Sequence, residues 1–427
     1  MNAKLFAASF CIFMPNFGWA LTYDQALNHA IIFDKKYASA IYEAQAAEYI
    51  PTIGRAGLLP KLSITGFAAN NNLTTQNQSG FFGNPTTVEQ NYTSQSYAGQ
   101  LTQPVINLAA VANYLQSKKQ EKASQYKLSV ELNDLKTKVI ESYCAFAYAQ
   151  TLLAESTKEL STLTEQEAIL KARQLAGASS KTDIDEVVYA KLQVQANLDD
   201  AQNLFTQSKL SLEKLIGIKL SQNEFMTTPP TAPLINSSLH ELIDHAKNIN
   251  PKILYQQENY ASAILENKKN KAAHIPTVDV VGYQGYQNSN TISTVGQKSM
   301  QGYLGFQLNV PLITGGETFG KERQSAFNAE SQRMLLESEI NDVVESVQKL
   351  YSQAKISSEK TLTIEHQVQV ANALYKSFKR QQELGLKSTY DLLIATRKKF
   401  QSEKDLLKTK YEYIQAIKKL EILVSEH

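Results

Sequence analysis

The chain is poor in the residues that form disulfides, catalytic sites and metal sites. Its 427 residues include two cysteines and six histidines. Cys11 lies in a segment that we expect to be removed, so Cys144 has no partner for an intrachain disulfide. His240-Glu241 lacks the second histidine four residues later that a zinc protease helix requires, and neither a Gly-x-Ser-x-Gly elbow nor a Cys-x-x-Cys pair occurs. We therefore predict that the chain is not an enzyme and binds no metal or cofactor.

A strong excess of one charge and a long apolar run are also missing. The net charge is +2 without a block of basic residues, which argues against nucleic acid as the main partner. Residues 1–20 combine a basic Lys4, an apolar stretch too short to span a bilayer, and a small-x-small cleavage site at Gly18-Trp19-Ala20. They are predicted to be a signal peptide, with the mature chain starting at Leu21. No later stretch is apolar enough for a transmembrane helix.

What the chain contains instead is one structural pattern used twice, about 208 residues apart. Three segments recur in the same order: an apolar-Pro strand start, a strand-to-helix exit and a helix-to-helix turn. Their two copies are 58–62 and 274–278, 101–106 and 308–313, and 177–183 and 385–391. We therefore divide the mature chain into a first repeat at 21–217, a Pro- and Thr-containing linker at 218–238 and a second repeat at 239–427.

Each repeat is predicted to contribute two amphipathic strands. The four strands are 61–73, 92–103, 277–288 and 299–310. The alternation is clearest in the last strand, where Leu304, Phe306 and Leu308 share one face. This pattern fits either a half-buried sheet or a membrane barrel with a wet lumen, and the strand lengths suit a tilted bilayer crossing. The loops 74–91 and 289–298, rich in Asn, Gln, Ser and Thr, are expected to be solvated and mobile.

Several tyrosines near the strand ends allow two interpretations. They are Tyr92, Tyr97, Tyr283, Tyr286 and Tyr303. Tyrosine rings at these places fit the interfacial girdle of a membrane protein. They fit equally well the ordinary preference of tyrosine for strands.

Helices are predicted to make up most of the remaining chain. A first helix runs from Thr22 to about Tyr49, where Pro51 bends or breaks it. Residues 109–176 and 321–384 contain no proline or glycine. Each of these two segments is expected to form one helix on the order of 95 to 100 Å long.

The helices that return from these segments carry the heptad seams typical of coiled coils. The seam of the first is Ile184, Val187, Lys191, Val194, Leu198, Ala201, Phe205, Ser208, Leu212 and Leu215, and that of the second includes Leu393, Phe400, Leu407 and Ile414. The flanking residues are polar, so each repeat is predicted to end in a solvated helical hairpin. The hairpin turns lie at Gly177 and Gly385, which we expect to adopt the left-handed conformation that ends a helix.

The ordered set of motifs resembles the TolC family of bacterial outer-membrane efflux and type I secretion channel proteins. The resemblance covers essentially the whole chain after the signal peptide. It is carried by 59–62, 101–104, 274–279 and 304–316, and by the paired Gly-x-x-Ser-x-x-Asp turns at 177–183 and 385–391. It implies a mainly α fold with β: tandem-duplicated long α-helical coiled-coil hairpins plus four transmembrane β-strands per chain, forming a trimeric α/β-barrel tunnel.

The same resemblance implies a passive exit duct in the outer membrane, with its helices extending into the periplasm. A homotrimer would dock with a periplasmic adaptor and an inner-membrane transporter, either a multidrug pump or a secretion ATPase, to export drugs or proteins. Two other classes stay open. A periplasmic adaptor has one hairpin with flanking β-domains, and a surface coiled-coil adhesin has a single stalk with a C-terminal anchor. Two hairpins with four strands favour the channel.

The family resemblance implies that the periplasmic entrance lies at the two helical turns. Asp183 and Asp391 match the acidic residue of each family turn, and Lys387 matches a basic residue that helps to hold the closed state. In a trimer, Asp391 would form a ring of three carboxylates that favours cations. Lys387 would pair weakly with Asp183 and hold neighbouring hairpins together. The alternative is that both aspartates only cap the helices that follow.

The outer surface of the turns is the predicted contact with the adaptor. Its tip residues are Gly177, Ser180, Gly385 and Ser388. Ordinary turn chemistry without a partner is the alternative. Ile394 and Gln382 depart from the pattern of the best-known family member, which has an acidic and an aromatic residue there. These departures argue against a strongly cation-binding entrance and against the same latch geometry.

Overall fold

A computed structural model describes residues 21–77, 86–220, 237–291 and 294–425, and within these ranges the chain forms nine helices and four strands. The helices are α1 Tyr23–Phe33, α2 Lys35–Ala47, α3 Ile50–Arg55, α4 Leu108–Leu175, α5 Lys181–Ile216, α6 Leu239–Ile249, α7 Pro251–Ala272, α8 Glu317–Glu383 and α9 Thr389–Val424. The strands are β1 Lys61–Asn77, β2 Thr86–Ile106, β3 Thr277–Thr291 and β4 Thr294–Asn309. The mainly α fold with a four-stranded sheet is confirmed. The predicted signal peptide and most of the predicted linker lie outside the described residues.

The chain forms two compact units, and each takes segments from both halves of the sequence. The first unit comprises the described residues of Met1–Ala40, Ser129–Asn250 and Asp342–His427. The second comprises those of Ile41–Leu128 and Pro251–Asn341. The two predicted repeats, at 21–217 and 239–427, therefore do not coincide with the two compact units. Their boundaries stay a prediction.

The second unit contains an antiparallel sheet with the strand order β1-β2-β3-β4. At one end of the sheet Lys61 lies opposite Thr102, and Thr277 lies opposite Asn309. Helix α3 leads into β1 at this end, β2 and β4 lead out of it towards α4 and α8, and α7 leads into β3. All helices that adjoin the sheet are thus connected at this one end, which we call the helix end. At the other end, which we call the hairpin end, Asn77 lies opposite Thr86, and Thr291 lies opposite Thr294.

Both strand hairpins are longer than predicted. Parts of the predicted loops 74–91 and 289–298 belong to strands, and these parts are 74–77, 86–91, 289–291 and 294–298. The loop prediction was wrong for these residues. Their polar composition indicates a solvated environment but does not prevent pairing, because the backbone groups of any residue except proline can continue the ladder. Threonine also has a high preference for strands.

One face of the sheet is apolar and exposed. Directly opposed residues of an antiparallel pair share a face, so the register assigns each side chain to one side of the sheet. The apolar face is formed by Leu62, Ile64, Leu101, Val280, Leu304, Phe306 and Leu308. Ile64, Leu304 and Phe306 are each 76 to 81% exposed. The opposite face carries Ser63 and Gln100, so the predicted alternation is confirmed. A sheet with an exposed apolar face and a polar reverse suits contact with lipid.

The first predicted helix is interrupted at Asp34, which separates α1 from α2. Asp34 is extended, and its Oδ1 accepts a hydrogen bond from the backbone N of Tyr37 at 2.7 Å. The prediction of one continuous helix to Tyr49 was therefore wrong, because the short aspartate side chain caps a new helix in place of continuing the old one. Pro51 lies in the first turn of α3, where a missing N–H is tolerated.

The first unit has a hydrophobic core where α1, α4 and α5 meet. Ala26, Val139 and Leu212 are fully buried in it. Tyr143 of α4 is also buried, and its hydroxyl donates to the carbonyl of Leu21 at 3.1 Å. The core thus fixes the start of the described chain against the long helix α4.

A neighbouring cluster joins α4 to α9. Cys144 is buried there with Ile140, Ile414 and Ile422. Burial raises the pKa of the Cys144 thiol to about 12. Cys144 is therefore a helix-packing residue, as the sequence predicts.

The seams of the two returning helices agree with the prediction to different degrees. In α5, six buried residues belong to the predicted seam: Ile184, Val187, Val194, Ala201, Ser208 and Leu212. At the end of the helix Ile216 is buried, whereas the predicted Leu215 is only half-buried. In α9, Phe400 and Ile414 are buried, but Leu393 and Leu407 are only half-buried. The residues buried most regularly along α9 are small and one heptad apart: Ala395, Ser402, Thr409 and Ala416. Small side chains let a neighbouring helix approach closely, and a search for large apolar residues misses them. Across the described residues no helix has both the length and the apolar character needed to cross a membrane.

Candidate functional site

The two helical turns have the same backbone hydrogen bonds. After α4, the N of Ala178 donates to the carbonyl of Arg173 at 2.8 Å, and the N of Gly177 donates to that of Gln174 at 2.9 Å. The equivalent bonds after α8 measure 2.8 and 3.1 Å. Gly177 and Gly385 have φ angles of 74° and 73°. Each turn is thus a Schellman motif with a left-handed glycine, as predicted.

A serine and an aspartate form a capping box at the start of each returning helix. The backbone N of Asp183 donates to Ser180 Oγ at 3.1 Å, and the N of Ser180 donates to Asp183 Oδ2 at 2.9 Å. Between Ser388 and Asp391 the equivalent distances are 3.1 and 3.2 Å. The predicted capping role is therefore confirmed for both aspartates. The hydrogen bonds from Ser180 and Ser388 hold the pKa of each carboxyl below its ordinary value.

Lys387 lies beside Asp391 in the second turn. Its Nζ is 3.8 Å from Asp391 Oδ2 and 4.9 Å from the centre of the Phe378 ring. The nearby ammonium adds to the serine hydrogen bonds in lowering the pKa of Asp391. Within the described chain Lys387 therefore pairs with its own hairpin and not with Asp183. A pair with Asp183 of another copy stays a prediction.

A polar contact and a small apolar cluster join the hairpins next to the turns. Thr389, a buried residue at the start of α9, contributes to lowering the pKa of the Asp183 carboxyl in the other hairpin. Arg173 Nη1 donates to the backbone carbonyl of Gln382 at 3.5 Å. Below this contact lies a buried apolar cluster of Leu170, Ile184 and Val187. The turns are thus fastened to each other by an arginine and a small core.

Neither Thr389 nor Arg173 was predicted to belong to the site. Each lies in a polar stretch near a helix end, and the motif spacing within one hairpin carries no information about contacts between hairpins. Gln382 takes part through its carbonyl, a group that almost any residue provides. The best-known family member has an aromatic side chain at this position, but the contact with Arg173 uses the backbone and does not depend on that side chain.

The outer surface of the turns exposes apolar side chains that were not predicted to belong to the site. Leu175 is 93% exposed, and Leu384, Leu386 and Tyr390 are each more than half exposed. The predicted tip residues Gly177, Ser180, Gly385 and Ser388 are exposed with them. Exposed apolar side chains grouped at one place are typical of a surface that binds another protein. Among the described residues, no group of three or more His, Cys, Asp and Glu side chains could hold a metal ion.

The comparison with known proteins matches both the helical and the sheet-forming parts of the chain. The model of the family described as "Outer membrane efflux protein" matches residues 27–218 and 242–424. The chain belongs to this family. It is 25% identical over 420 residues to the alkaline protease secretion protein AprF of Pseudomonas aeruginosa, covering 96% of this chain and 86% of AprF. It is 24% identical over 387 residues to the proteases secretion protein PrtF of Dickeya chrysanthemi, covering 90% of this chain and 83% of PrtF.

Solved structures show the same fold. A membrane protein from Pseudomonas aeruginosa superposes with a TM-score of 0.79 at 16% identity, covering 96% of this chain and 92% of that chain. The outer membrane protein VceC of Vibrio cholerae superposes with a TM-score of 0.78 at 14% identity, covering 95% and 96%.

Membership of the outer membrane efflux protein family confirms the resemblance found in the sequence. This member is an exit duct of the outer membrane, with its helical part in the periplasm. The alternatives of a periplasmic adaptor and of a surface adhesin are excluded. The exposed apolar face of the sheet is accordingly the face turned to lipid.

Proposed function

We propose that three copies of this chain form the outer-membrane duct of a protein secretion system, docked to a periplasmic adaptor and an inner-membrane transporter. The observation that carries the proposal is the arrangement of the turns. Two equivalent hairpin turns are fastened together, and both expose apolar side chains to the solvent. Such a surface is expected on a duct that must be joined to further components before it can export anything.

The sheet supports assembly from several copies. In the order β1-β2-β3-β4, β1 and β4 are edge strands. An unpaired backbone N–H or C=O in lipid costs several kcal/mol, so lipid-facing edges have to be paired. Membrane barrels have about eight or more strands, and four strands are too few to close one. Three copies would bring twelve strands together, with β4 of one copy pairing with β1 of the next.

The exposed turns support docking to an adaptor. Leu175 and Leu386 flank the two left-handed glycines and project where no described residue covers them. Burial of an exposed leucine contributes about 1.5–3 kcal/mol. A ring of three such turn pairs would give the adaptor a repeated apolar contact. The polar backbone of each turn, with Ser180 and Ser388, would fix its orientation.

The names of two relatives support protein as the cargo. AprF and PrtF are named as protease secretion proteins, and each aligns with nine-tenths or more of this chain. A passive duct leaves cargo selection to the transporter, so the duct itself needs only a wide polar interior. The polar reverse face of the sheet, with Ser63, Gln100 and Gln307, meets this requirement.

The proposal is tested by deleting the gene in its host and restoring it on a plasmid. The proteins of the culture medium and the susceptibility to a panel of toxic compounds are measured together. We expect one or more proteins to disappear from the medium and to return with the wild-type gene. A changed susceptibility with an unchanged set of secreted proteins would contradict the protein cargo and support drug efflux.

Docking is tested in the same strain with a matched pair of variants. Leu386→Asp places a charge on the exposed turn and should abolish secretion, whereas Leu386→Met keeps an apolar side chain and should preserve it. Both variants should reach the outer membrane as assemblies with the mass of three chains. Secretion by Leu386→Asp at the wild-type level would overturn the assignment of this surface to the adaptor.

A further inference from the structure

The lipid-facing side of the sheet changes character along the strands. From the helix end it carries Leu62, Leu101 and Leu304, all in register. Nearer the hairpin end the same face carries a row with Ile64 and Gln284, and then a row in which Tyr97, Tyr286 and Met300 lie opposite one another. The rings of Tyr97 and Tyr286 stack with their centroids 6.4 Å apart and an angle of 19° between their planes. Tyrosines beside an apolar band mark the boundary between hydrocarbon and headgroups.

This row decides between the two interpretations of the strand tyrosines. Tyr97 and Tyr286 are on the lipid-facing side, where a girdle has to lie. Tyr92, Tyr283 and Tyr303 are on the polar reverse face. Only the first two therefore fit an interfacial girdle.

The next row beyond the tyrosines is polar and carries a positive charge. Gln95, Asn288 and Lys298 lie opposite one another on β2, β3 and β4. Opposed side chains on neighbouring strands are about 5 Å apart, so the three can contact one ligand. The row lies about 7 Å beyond the tyrosines along the strands. Lys298 is exposed, and its ammonium is therefore available at the depth where lipid phosphates lie.

Further rows on the same face are made of amides and hydroxyls. Thr93 of β2 lies opposite Asn70 of β1, and its Oγ1 donates to Asn70 Oδ1 at 3.0 Å. The next row pairs Asn72 with Asn91. Beyond it lies Glu89, whose carboxylate would repel a phosphate. A phosphate is thus favoured beside Lys298, and neutral hydrogen-bonding groups are favoured further out.

The topology places these rows on the outer side of the membrane. The helices adjoin the sheet at its helix end, and in this protein the helical part lies in the periplasm. The hairpin end, where the polar rows lie, therefore points to the cell exterior. The lipid next to it is that of the outer leaflet.

We propose that the strip formed by Gln95, Asn288 and Lys298, with Asn70 and Thr93 beyond it, binds lipopolysaccharide, the phosphorylated glycolipid of the outer leaflet. The acyl chains contact the apolar face, the Lys298 ammonium binds a phosphate, and the amides and hydroxyls bind sugar hydroxyls. The order of the rows along the strands is the order of these groups along the lipid. A phospholipid would leave the outer amide rows without a ligand, and a free phosphate would leave the apolar face without one.

The test uses the full-length protein, purified in detergent and freed of bound lipid. Rough lipopolysaccharide is added stepwise, and the bound fraction is measured by native mass spectrometry. Lys298→Gln should weaken binding about tenfold, as expected for loss of one charge-assisted contact, and Lys298→Arg should restore it. Lys61→Gln is the matched control, because Lys61 is exposed on the reverse face at the helix end. Circular dichroism and the assembly mass verify that each variant is folded.

Three further ligands identify the group that is recognised. Lipopolysaccharide freed of its phosphates should bind wild-type protein as weakly as the intact lipid binds Lys298→Gln. Phosphatidylglycerol vesicles that bind as tightly as lipopolysaccharide would overturn the assignment to a glycolipid. Displacement of the lipid by inorganic phosphate at millimolar concentration would show a free anion site and also overturn it. An equal loss of binding in Lys298→Gln and Lys61→Gln would show that only the net charge of the protein matters, and would overturn the proposed site.

Discussion

Lys404 of α9 and Glu159 of α4 form an ion pair that joins the two hairpins, with Nζ 2.6 Å from Oε2 and both side chains largely shielded from solvent. Nearer the turns, Gln166 donates to Thr396 Oγ1 at 3.3 Å across the same helix pair. These contacts continue the series that the hydrogen bond from Arg173 to the carbonyl of Gln382 begins at the turn. The relative position of the hairpins is therefore set by polar groups along their length as well as by the seams.

Breaking this ion pair from one side should be costly. Lys404→Met leaves Glu159 shielded and unpaired, and we expect a loss of about 3–5 kcal/mol in the free energy of unfolding. Replacing both partners, as Lys404→Met with Glu159→Leu, should recover most of that loss because no charge stays unpaired. Denaturant unfolding of the purified protein, followed by circular dichroism, measures the effect.

A second ion pair in the same unit serves as the control. Lys410 Nζ lies 2.8 Å from Glu365 Oε1, with both side chains about two-fifths exposed. Lys410→Met should cost less than about 1 kcal/mol, because water screens an exposed pair. Equal losses for Lys404→Met and Lys410→Met would show that shielding does not determine the strength of these pairs.

The capping boxes predict a loss of stability in acid. The pKa of Asp183 is held below its ordinary value of 3.8, mainly by the hydrogen bonds from Ser180. A carboxyl with a lowered folded pKa stabilises the fold fully above its unfolded pKa, and this contribution is lost as the pH falls through the folded pKa. The thermal midpoint should therefore decrease as the pH falls below about 4. In Asp183→Asn the decrease should be smaller, since asparagine does not titrate.

Substitution of Ser180 tests the capping hydrogen bond while the charge of Asp183 is kept. Ser180→Ala should lower the free energy of unfolding by about 1 kcal/mol at neutral pH. Ser180→Thr keeps the hydroxyl and should restore most of the loss. If Ser180→Ala and Ser180→Thr have the same thermal midpoint, the hydroxyl contributes nothing and the capping argument fails.

The sequence predicts the elements of this fold better than the contacts between them. Gly177 and Asp183 recur as Gly385 and Asp391, and local hydrogen bonding alone gives each turn its geometry. By contrast, the ion pair between Lys404 and Glu159 joins residues far apart in the sequence, and neither heptad position nor charge spacing indicates it. The strand ends were also mispredicted. Polar side chains indicate exposure to solvent, but they do not show whether the backbone pairs with a neighbouring strand. Lys298 belongs to a predicted loop, and only the strand register places it beside the tyrosine row.

The buried thiol gives a labelling prediction. Because burial raises the pKa of Cys144 to about 12, almost no thiolate is present at pH 8, and access to the thiol is blocked as well. A maleimide should leave the folded protein unlabelled and should label it fully in denaturant. Ser180→Cys in a Cys144→Ser background should label quickly when folded, because Ser180 is exposed. Labelling of folded wild-type protein at a similar rate would contradict the burial of Cys144.

The charge balance at the second turn predicts how strongly the duct prefers cations. Lys387 lies 3.8 Å from Asp391, so in the proposed trimer each carboxylate of the ring has a positive charge beside it. Lys387→Gln should raise the ratio of cation to anion permeability, and Asp391→Asn should lower it, each by a factor on the order of two to five. Reversal potentials in a salt gradient across a planar bilayer measure the ratio. Asp183→Asn changes the equivalent capping residue of the first turn and is the control. It should change the ratio less than Asp391→Asn, because the proposed ring is formed by Asp391. Unchanged ratios in both Lys387→Gln and Asp391→Asn would exclude a selective ring at this turn.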